Sequence, residues 1–286
     1  MKVSMKIKQF KSTAPKFKKL QELTIAIQSG DQQVISTTLY LLQIDDDFQG
    51  IAWQKSFAKL ANLFATGNPE FTIFMKGNSK LPFYAFSSLP GVTCPGAGDC
   101  IDFCYSYRAW RYPSAFARQC QNAWLMIFNR PVIAIALAKI KGNFDLRLYV
   151  DGDFANIVDL DFWMTQCKLN PNIQAYGYSK SFALFLAYEL TNTWPINYML
   201  NISSGHNSSP QMVNYVKQLY ITRGEFIAVN IGFKPEHGSI KTNAAIRAQF
   251  DEKIFPCPGK CGSCTGLGHA CGLPQMKFKT IAIAIH

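Results

Sequence analysis

The chain is expected to be an α/β protein: a partial (β/α) barrel-like parallel sheet with an N-terminal accessory region and a C-terminal cysteine-rich metal loop. Three observations carry that expectation. From about residue 113 to 233, apolar extended runs alternate with helix-length segments. Small or charged residues follow the extended runs, and seven of the nine cysteines fall in two short loops. Strands separated by helices of roughly 10 to 15 residues favour parallel pairing through right-handed crossovers. In such sheets the site lies at the carboxyl ends of the strands.

Residues 1–70 read as a basic arm followed by an accessory helical or mixed region, with apolar residues at helical spacing in FKKLQELTIAIQ and WQKSFAKLANLFA. Residues 71–245 form the α/β core. It opens with two extended runs about a KGNSK turn, in FTIFMKGNSKLPFYAFSSLPG, and the first cysteine loop follows. Then RYPSAFARQCQNAWLMIF and PVIAIALAKI read as helices, DLRLYVDGD as extended, and NIVDLDFWMTQCKL as helix. IQAYGYSKS is extended, SFALFLAYELTN helical, NYMLNISSG extended, PQMVNYVKQLY helical and EFIAVNIGF extended. Residues 246–286 hold the second cysteine loop and a terminal strand, TIAIAIH.

With 48% apolar and 16% charged residues among 286, the chain has the composition of a folded protein. Its longest apolar runs, such as IAIALA, are far short of the roughly 20 residues that span a bilayer, so a soluble, cytoplasmic protein with no membrane partner is expected. The net charge of +11 is concentrated at the start, where Lys2, Lys6, Lys8, Lys11, Lys16, Lys18 and Lys19 occur with no acid among the first 20 residues. Such an arm suits nucleic acid, whose phosphates release counterions to lysine; a solvated arm with no ligand is the alternative. No helix-turn-helix, homeodomain or RNA-recognition signature accompanies it. Neither GNSK nor GLGHACG has the Walker spacing, and NISSGH lacks the Gly-x-Ser-x-Gly elbow of a serine hydrolase.

The cysteine loops point to metal. Cys94, Cys100 and Cys104 form Cys-x5-Cys-x3-Cys, closed by Tyr105, in TCPGAGDCIDFCYS. Three thiolates leave a position open, as in a [4Fe-4S] cluster with one exchangeable iron, whereas structural zinc asks for a fourth ligand. Cys257, Cys261, Cys264 and Cys271, in CPGKCGSCTGLGHACG, suit an auxiliary cluster or a structural zinc, with His269 able to stand in for a thiolate. Disulfides would suit a short secreted chain better, and no signal-like segment opens this one. Cys120 and Cys167 lie in helical segments as packing residues. Beyond the strands come Asp151, Gly152 and Asp153, then Tyr178, Ser179 and Lys180, then Ser203, Ser204 and His206, then Lys234.

A three-cysteine loop after a first strand, closed by an aromatic, resembles the radical S-adenosylmethionine enzymes. That resemblance implies that Gly152 and Asp153 hold the methionine amino group and that Ser203 and Ser204 meet the ribose. The superfamily's usual spacing is Cys-x3-Cys-x2-Cys, which Cys257, Cys261 and Cys264 have and the first loop does not. A closer match covers about 74 to 235. FMKGNSKLPFYAFSSLPGVTCPGAGDC, CYS, a helix with Arg118 and Asn122, LRLYVDGDF, YGYSKS and NISSG together resemble the phage "gene product 88" family. That family implies a mobile-element setting but no proven reaction. It carries a His two residues ahead of its Gly-Asp-Phe region, where this chain has Tyr149 or Val150.

Two functions of different class follow. In the first, an iron-sulfur enzyme uses S-adenosylmethionine, with Asp153, Tyr178 and Lys180 catalytic and Gly152, Asp153, Ser203 and Ser204 binding the cofactor. In the second, a zinc-stabilised nucleic-acid-binding protein, such as a plasmid or phage replication initiator, uses Tyr176 or Tyr178 to nick and Asp151 and Asp153 to hold a divalent ion. Its four histidines are not paired as in rolling-circle initiators. A metal-stabilised structural protein is a third. For Asp153, capping of a helix near Asn156 competes with a cofactor role.

Overall fold

Gly30–Asp31 and Gly50 punctuate the first helical stretch, and the chain accordingly forms α1 (Pro15–Ser29), α2 (Gln32–Ile44) and α3 (Ile51–Thr66). The computed structural model describes residues 15–78, 81–262, 264–265 and 268–285. The Asp31 carboxylate accepts from the Gln33 and Val34 amides at the start of α2. Gly67 ends α3 in the left-handed region at φ +73°, its amide bonded to the Leu63 carbonyl. Lys2, Lys6, Lys8 and Lys11 lie outside the described residues. Of the arm's other lysines, Lys19 pairs with Asp45 and Asp47, and Lys16 donates to the Asp47 carbonyl at 2.7 Å. Part of the expected basic surface is therefore satisfied within the chain.

The core elements follow the alternation in the sequence. They are β1 (Met75–Asn78), β2 (Leu81–Ala85), α4 (Pro113–Phe128), α5 (Arg130–Ala138), β3 (Phe144–Leu148), α6 (Ile157–Leu169), β4 (Ile173–Ser179), α7 (Phe182–Glu189), β5 (Tyr198–Ser203), α8 (Pro210–Gln218) and β6 (Thr222–Val229). Three further elements complete the chain: α9 (Ile240–Arg247), β7 (Phe255–Pro256) and β8 (Ile281–Ala284). The eight strands form one sheet in the order β1-β2-β3-β4-β5-β6-β8-β7. The β1–β2 hairpin is antiparallel and every other pairing is parallel. The result is a mixed α/β fold on a mostly parallel sheet that runs as an open row from β1 to β7.

From β2 to β6 each crossover moves one place in the same direction, and with crossovers of one hand this puts the helices on a single face. Side chains alternate accordingly. Leu146, Leu148, Ala175, Leu200 and Ile202 join Phe116, Trp163, Phe185 and Val216 in one large core that also takes in Phe17, Leu39 and Phe57 of the first three helices. The N-terminal helices thus share a core with the sheet. On the other face, Phe83, Tyr176, Tyr178, Met199 and Phe226 pack against Cys257, Cys261, Cys264, Ala270, Cys271 and Met276. The terminal cysteine loop is the cover of that second face. Among the described residues, no helix is long and apolar enough to cross a membrane.

Candidate functional site

The first cysteine loop is sewn across the carboxyl ends of the parallel strands. After β2, Thr93 turns back to bond the Leu89 carbonyl, and Gly152 comes so close that a Cβ there would lie 2.7 Å from the Thr93 hydroxyl. The Gly152 φ of +80° also favours glycine. A Cβ on Gly96 would overlap the Lys180 carbonyl, and one on Gly205 would lie 2.9 Å from Cβ of Cys100. The Gly98 and Cys100 amides both donate to the Gly205 carbonyl, and the Asn207 amide to that of Gly96. PGAG is thus a contact surface, in which glycine lets the cysteine loop lie on the ends of β4 and β5.

This loop collects three thiols with Asp153 and Lys180. Burial raises the Cys94 pKa, helped by the nearby Asp153 carboxylate; burial also raises those of Cys100, which Lys180 opposes, and Cys104. Asp153, only 4% exposed, accepts three hydrogen bonds at 2.8 Å: from its neighbour's amide at Phe154, from Ser179 Oγ and from the Lys180 amide. It does not cap α6; Asn156 does, accepting from the Asp159 amide. Burial raises the Asp153 pKa against those bonds. Lys180 Nζ donates to Ser203 Oγ at 2.8 Å, while Ser204 Oγ accepts from the Ala228 amide. His206 lies against the Phe182 ring with Nδ1 accepting from the Ser208 amide. Lys234 is exposed beyond β6.

Residues singled out in α4 are structural braces. Buried Asn122 donates to the Ser87 carbonyl at 2.9 Å, and Arg118 contacts Met75 Sδ. Sequence reasoning missed their neighbours: Gln121 bonds the Glu70 and Phe71 amides, and Gln119 bridges Trp110 to the Asp151 carboxylate. The signal was a polar run, QCQN, in an otherwise apolar helix. Tyr149, at the position compared with the family's His, has a left-handed φ of +53°, and its buried hydroxyl accepts from Trp163. Cys120 and Cys167 are buried inside helices.

The second loop lies on the inner face of the sheet, which carries Tyr176, Tyr178 and Phe226, and Arg147 there is within electrostatic reach of both its Cys261 and Tyr105 of the first loop. Its thiols stand within electrostatic reach of one another, and burial pushes Cys257 up to about 11 and Cys271 up to about 12. His269 does not face the thiols. It lies between the Phe83 and Tyr176 rings, at 5.0 and 4.6 Å, with Nε2 3.3 Å from Asp145. Tyr176 is fully buried beneath it, and Tyr178 lies beside Cys271 with the Arg147 guanidinium 4.6 Å from its ring centre. Asn201 donates to the Cys271 carbonyl at 3.0 Å and accepts from Arg223 at 2.6 Å. Arg147, Asn201 and Arg223 were also missed, although a charge at alternate positions of an apolar strand, as in LRLYV, marks a side chain on the inner face.

Both groups offer soft thiol donors on loops, the chemistry of zinc and iron-sulfur sites. As the side chains stand, no three or more His, Cys, Asp or Glu among the described residues are arranged to hold an ion. A cavity of ≈ 450 Å³ opens beside the terminal cysteine loop, between α9 and β7, lined in part by Asn243, Arg247, Lys253 and Cys264. The rim residues do not line it.

A model of the family described as gene product 88 matches residues 55–272. The chain belongs to the gene product 88 family. The match takes in both cysteine loops, the strand ends from Asp151 to His206, and Arg118 and Asn122, and it leaves out α1, α2 and β8. The gene product 88 match therefore runs over β1 to β7 and both cysteine loops. No curated protein and no solved structure matches the chain.

Proposed function

We propose that the protein is a metal-dependent enzyme of a phage or related mobile element, in which Cys94, Cys100 and Cys104 hold an iron-sulfur centre at the strand ends. The observation that carries this reading is the convergence of that loop on Asp153, Ser179, Lys180 and Ser203 at the carboxyl ends of β3, β4 and β5, where α/β sheets bind their ligands. Three thiol donors suit a cubane with one iron open to a ligand, and such a centre would supply electron-transfer or radical chemistry. The thiols would have to turn towards one another to share it. Cys257, Cys261, Cys264 and Cys271 would hold a second, closed centre, zinc or iron-sulfur.

The row from β2 to β6 is read here as a partial barrel, its missing wall filled by the terminal loop, in a cytoplasmic protein. A radical S-adenosylmethionine enzyme remains the nearest chemical analogue. In that reading Lys180 and Ser203 face the ligand and Tyr178 lines the approach. Asp153 acts by fixing the Lys180 backbone, because its oxygens already accept three bonds. Protein purified without oxygen should be brown, absorb broadly near ~400 nm, and contain iron and sulfide in equal amounts.

The second reading is a zinc-stabilised nucleic-acid-binding protein, favoured by the net charge of +11. It predicts a colourless preparation with stoichiometric zinc and salt-dependent binding to DNA or RNA.

A further inference from the structure

We propose that Arg147 and Arg223 are the counter-charges of a tetrathiolate metal centre built from Cys257, Cys261, Cys264 and Cys271. The inference rests on reading the terminal loop as a metal site, and it assigns to two residues of the sheet a role towards that site. Both arginines stand on the inner face, one on β3 and the other on β6, with Tyr178 of β4 and Asn201 of β5 between them.

Arg223 is 1% exposed, yet its hydrogen bonds reach no carboxylate. Nε donates to the Asn201 side chain and the other nitrogens to the carbonyls of Met276, Lys279 and Glu225. The Glu225 carboxylate is turned to Lys217, 3.0 Å away. Arg147 stacks on Tyr178, and its Nε is buried without a partner. Besides the Tyr178 ring, the phenols of Tyr105 and Tyr176 and the Cys261 thiol are within electrostatic reach of it. The nearby Asp151 carboxylate is held by Gln119, and that of Asp145 faces His269. Among the described residues neither arginine makes an ion pair.

A guanidinium is not taken out of water without an opposing charge unless something else requires it. Here two face one loop of four thiols, Arg147 within electrostatic reach of Cys257 and Cys261, and Arg223 of Cys271. Four thiolates around a dication, either zinc or the core of an oxidised cubane, carry a net charge of about minus two. The two guanidiniums cancel it. The Arg223–Asn201–Cys271 bonds also tie the charge on β6 to the loop backbone, so the pair would set the loop's position as well as its electrostatics.

The test uses full-length protein purified without oxygen, comparing the parent with Arg147→Met, Arg147→Lys, Arg223→Met, Arg223→Lys and Cys261→Ala. Zinc, iron and sulfide per chain are measured, together with the rate at which metal passes to a chelator. Cys261→Ala should remove the metal of this loop, and the ratio of zinc to iron and sulfide distinguishes the two kinds of dication. Arg147→Met should release metal at least tenfold faster than the parent while its circular dichroism is unchanged, and Arg147→Lys should restore most of the retention. The Arg223 pair should behave likewise; should Arg223→Met not fold, the Arg147 variants decide alone. A metal-bearing parent with Arg147→Met indistinguishable from it overturns the counter-charge role and leaves the metal site standing. A parent whose metal content is unchanged by Cys261→Ala overturns both.

Discussion

The carboxylate of Asp153 accepts the backbone amide of Lys180 at 2.8 Å, so a residue in the loop beyond β3 fixes the residue that follows β4. With Ser179 as a further donor, this is a clamp between adjacent strand ends, on the surface where Gly96 of the cysteine loop lies. Asp153→Asn keeps the shape but turns one acceptor into a donor facing donors. It should lower stability by about 1–3 kcal/mol in urea unfolding. A loss below about 0.5 kcal/mol would show that the three bonds do not hold the rim together.

The two cysteine loops should fail differently. Cys100→Ala should remove iron and activity while leaving the urea midpoint near that of the parent, because its loop lies on strand ends formed without it. Cys261→Ala should lower the midpoint markedly, with a loss of several kcal/mol in unfolding free energy, because metal binding in a loop that covers one face of the sheet is coupled to folding. Equal, small effects at both positions would argue against metal in either loop.

Asn122→Ala should cost about 1–3 kcal/mol, since it leaves the Ser87 carbonyl without its buried donor. The same substitution should leave metal content unchanged. A change in metal content with stability preserved would move Asn122 from the braces into the site.

His206 should titrate below its ordinary value of 6.5, because burial and then the Lys180 charge disfavour its protonated form. Its Nδ1 accepts from the Ser208 amide, a bond that protonation breaks. The sign follows: a base with a depressed folded pKa contributes stability above pH ~6.5 that is lost as the pH falls through the folded value. Proton NMR of the His206 ring should report a midpoint under 6.5, and a midpoint above it would mean that the ring faces solvent or an acid instead.

Deletion of residues 1–14 should flatten the salt dependence of nucleic-acid binding by about one unit for each lysine that contacts phosphate. Lys16 and Lys19 are engaged with Asp45 and Asp47, so substituting these two should change the slope little. Absence of any salt-dependent binding by the full-length chain to DNA or RNA at low ionic strength would make the segment a solvated tail.

The order of elements was legible from residue 71 to 229 because buried parallel strands are apolar runs and their crossover helices are long enough to show a period. The pair of extended runs was legible, but the KGNSK turn was set too early: Lys76, Gly77 and Asn78 belong to β1, and Ser79 and Lys80 lie outside the described residues. The two-residue β7 was not, since so short an edge carries no period, and α9 is a weakly apolar helix of eight residues. The strand ends could be named, but the partner of each polar group could not. Asp153, between two strands and the cysteine loop, looked as able to bind a cofactor as to brace the rim, because its donors come from residues 26 and 27 positions away. The gravest gap concerned the terminal loop: local spacing shows four thiols, but only the folded chain shows which face of which sheet they cover.

The placing of β8 between β6 and β7 has a consequence for synthesis. Residues 281–284 leave the ribosome after β6, β7 and all four thiols of the terminal loop, and they supply the hydrogen-bonding partner of β6 on one side and of β7 on the other. Until they emerge, β6 presents an unpaired edge, and the segment carrying four thiols has no returning strand to hold it down. A nascent chain would therefore be at its most oxidisable and most adhesive just before residues 281–284 emerge. A break in the pairing of β8 alone would leave every cysteine of the two loops in place and still deprive the fold of its fastening.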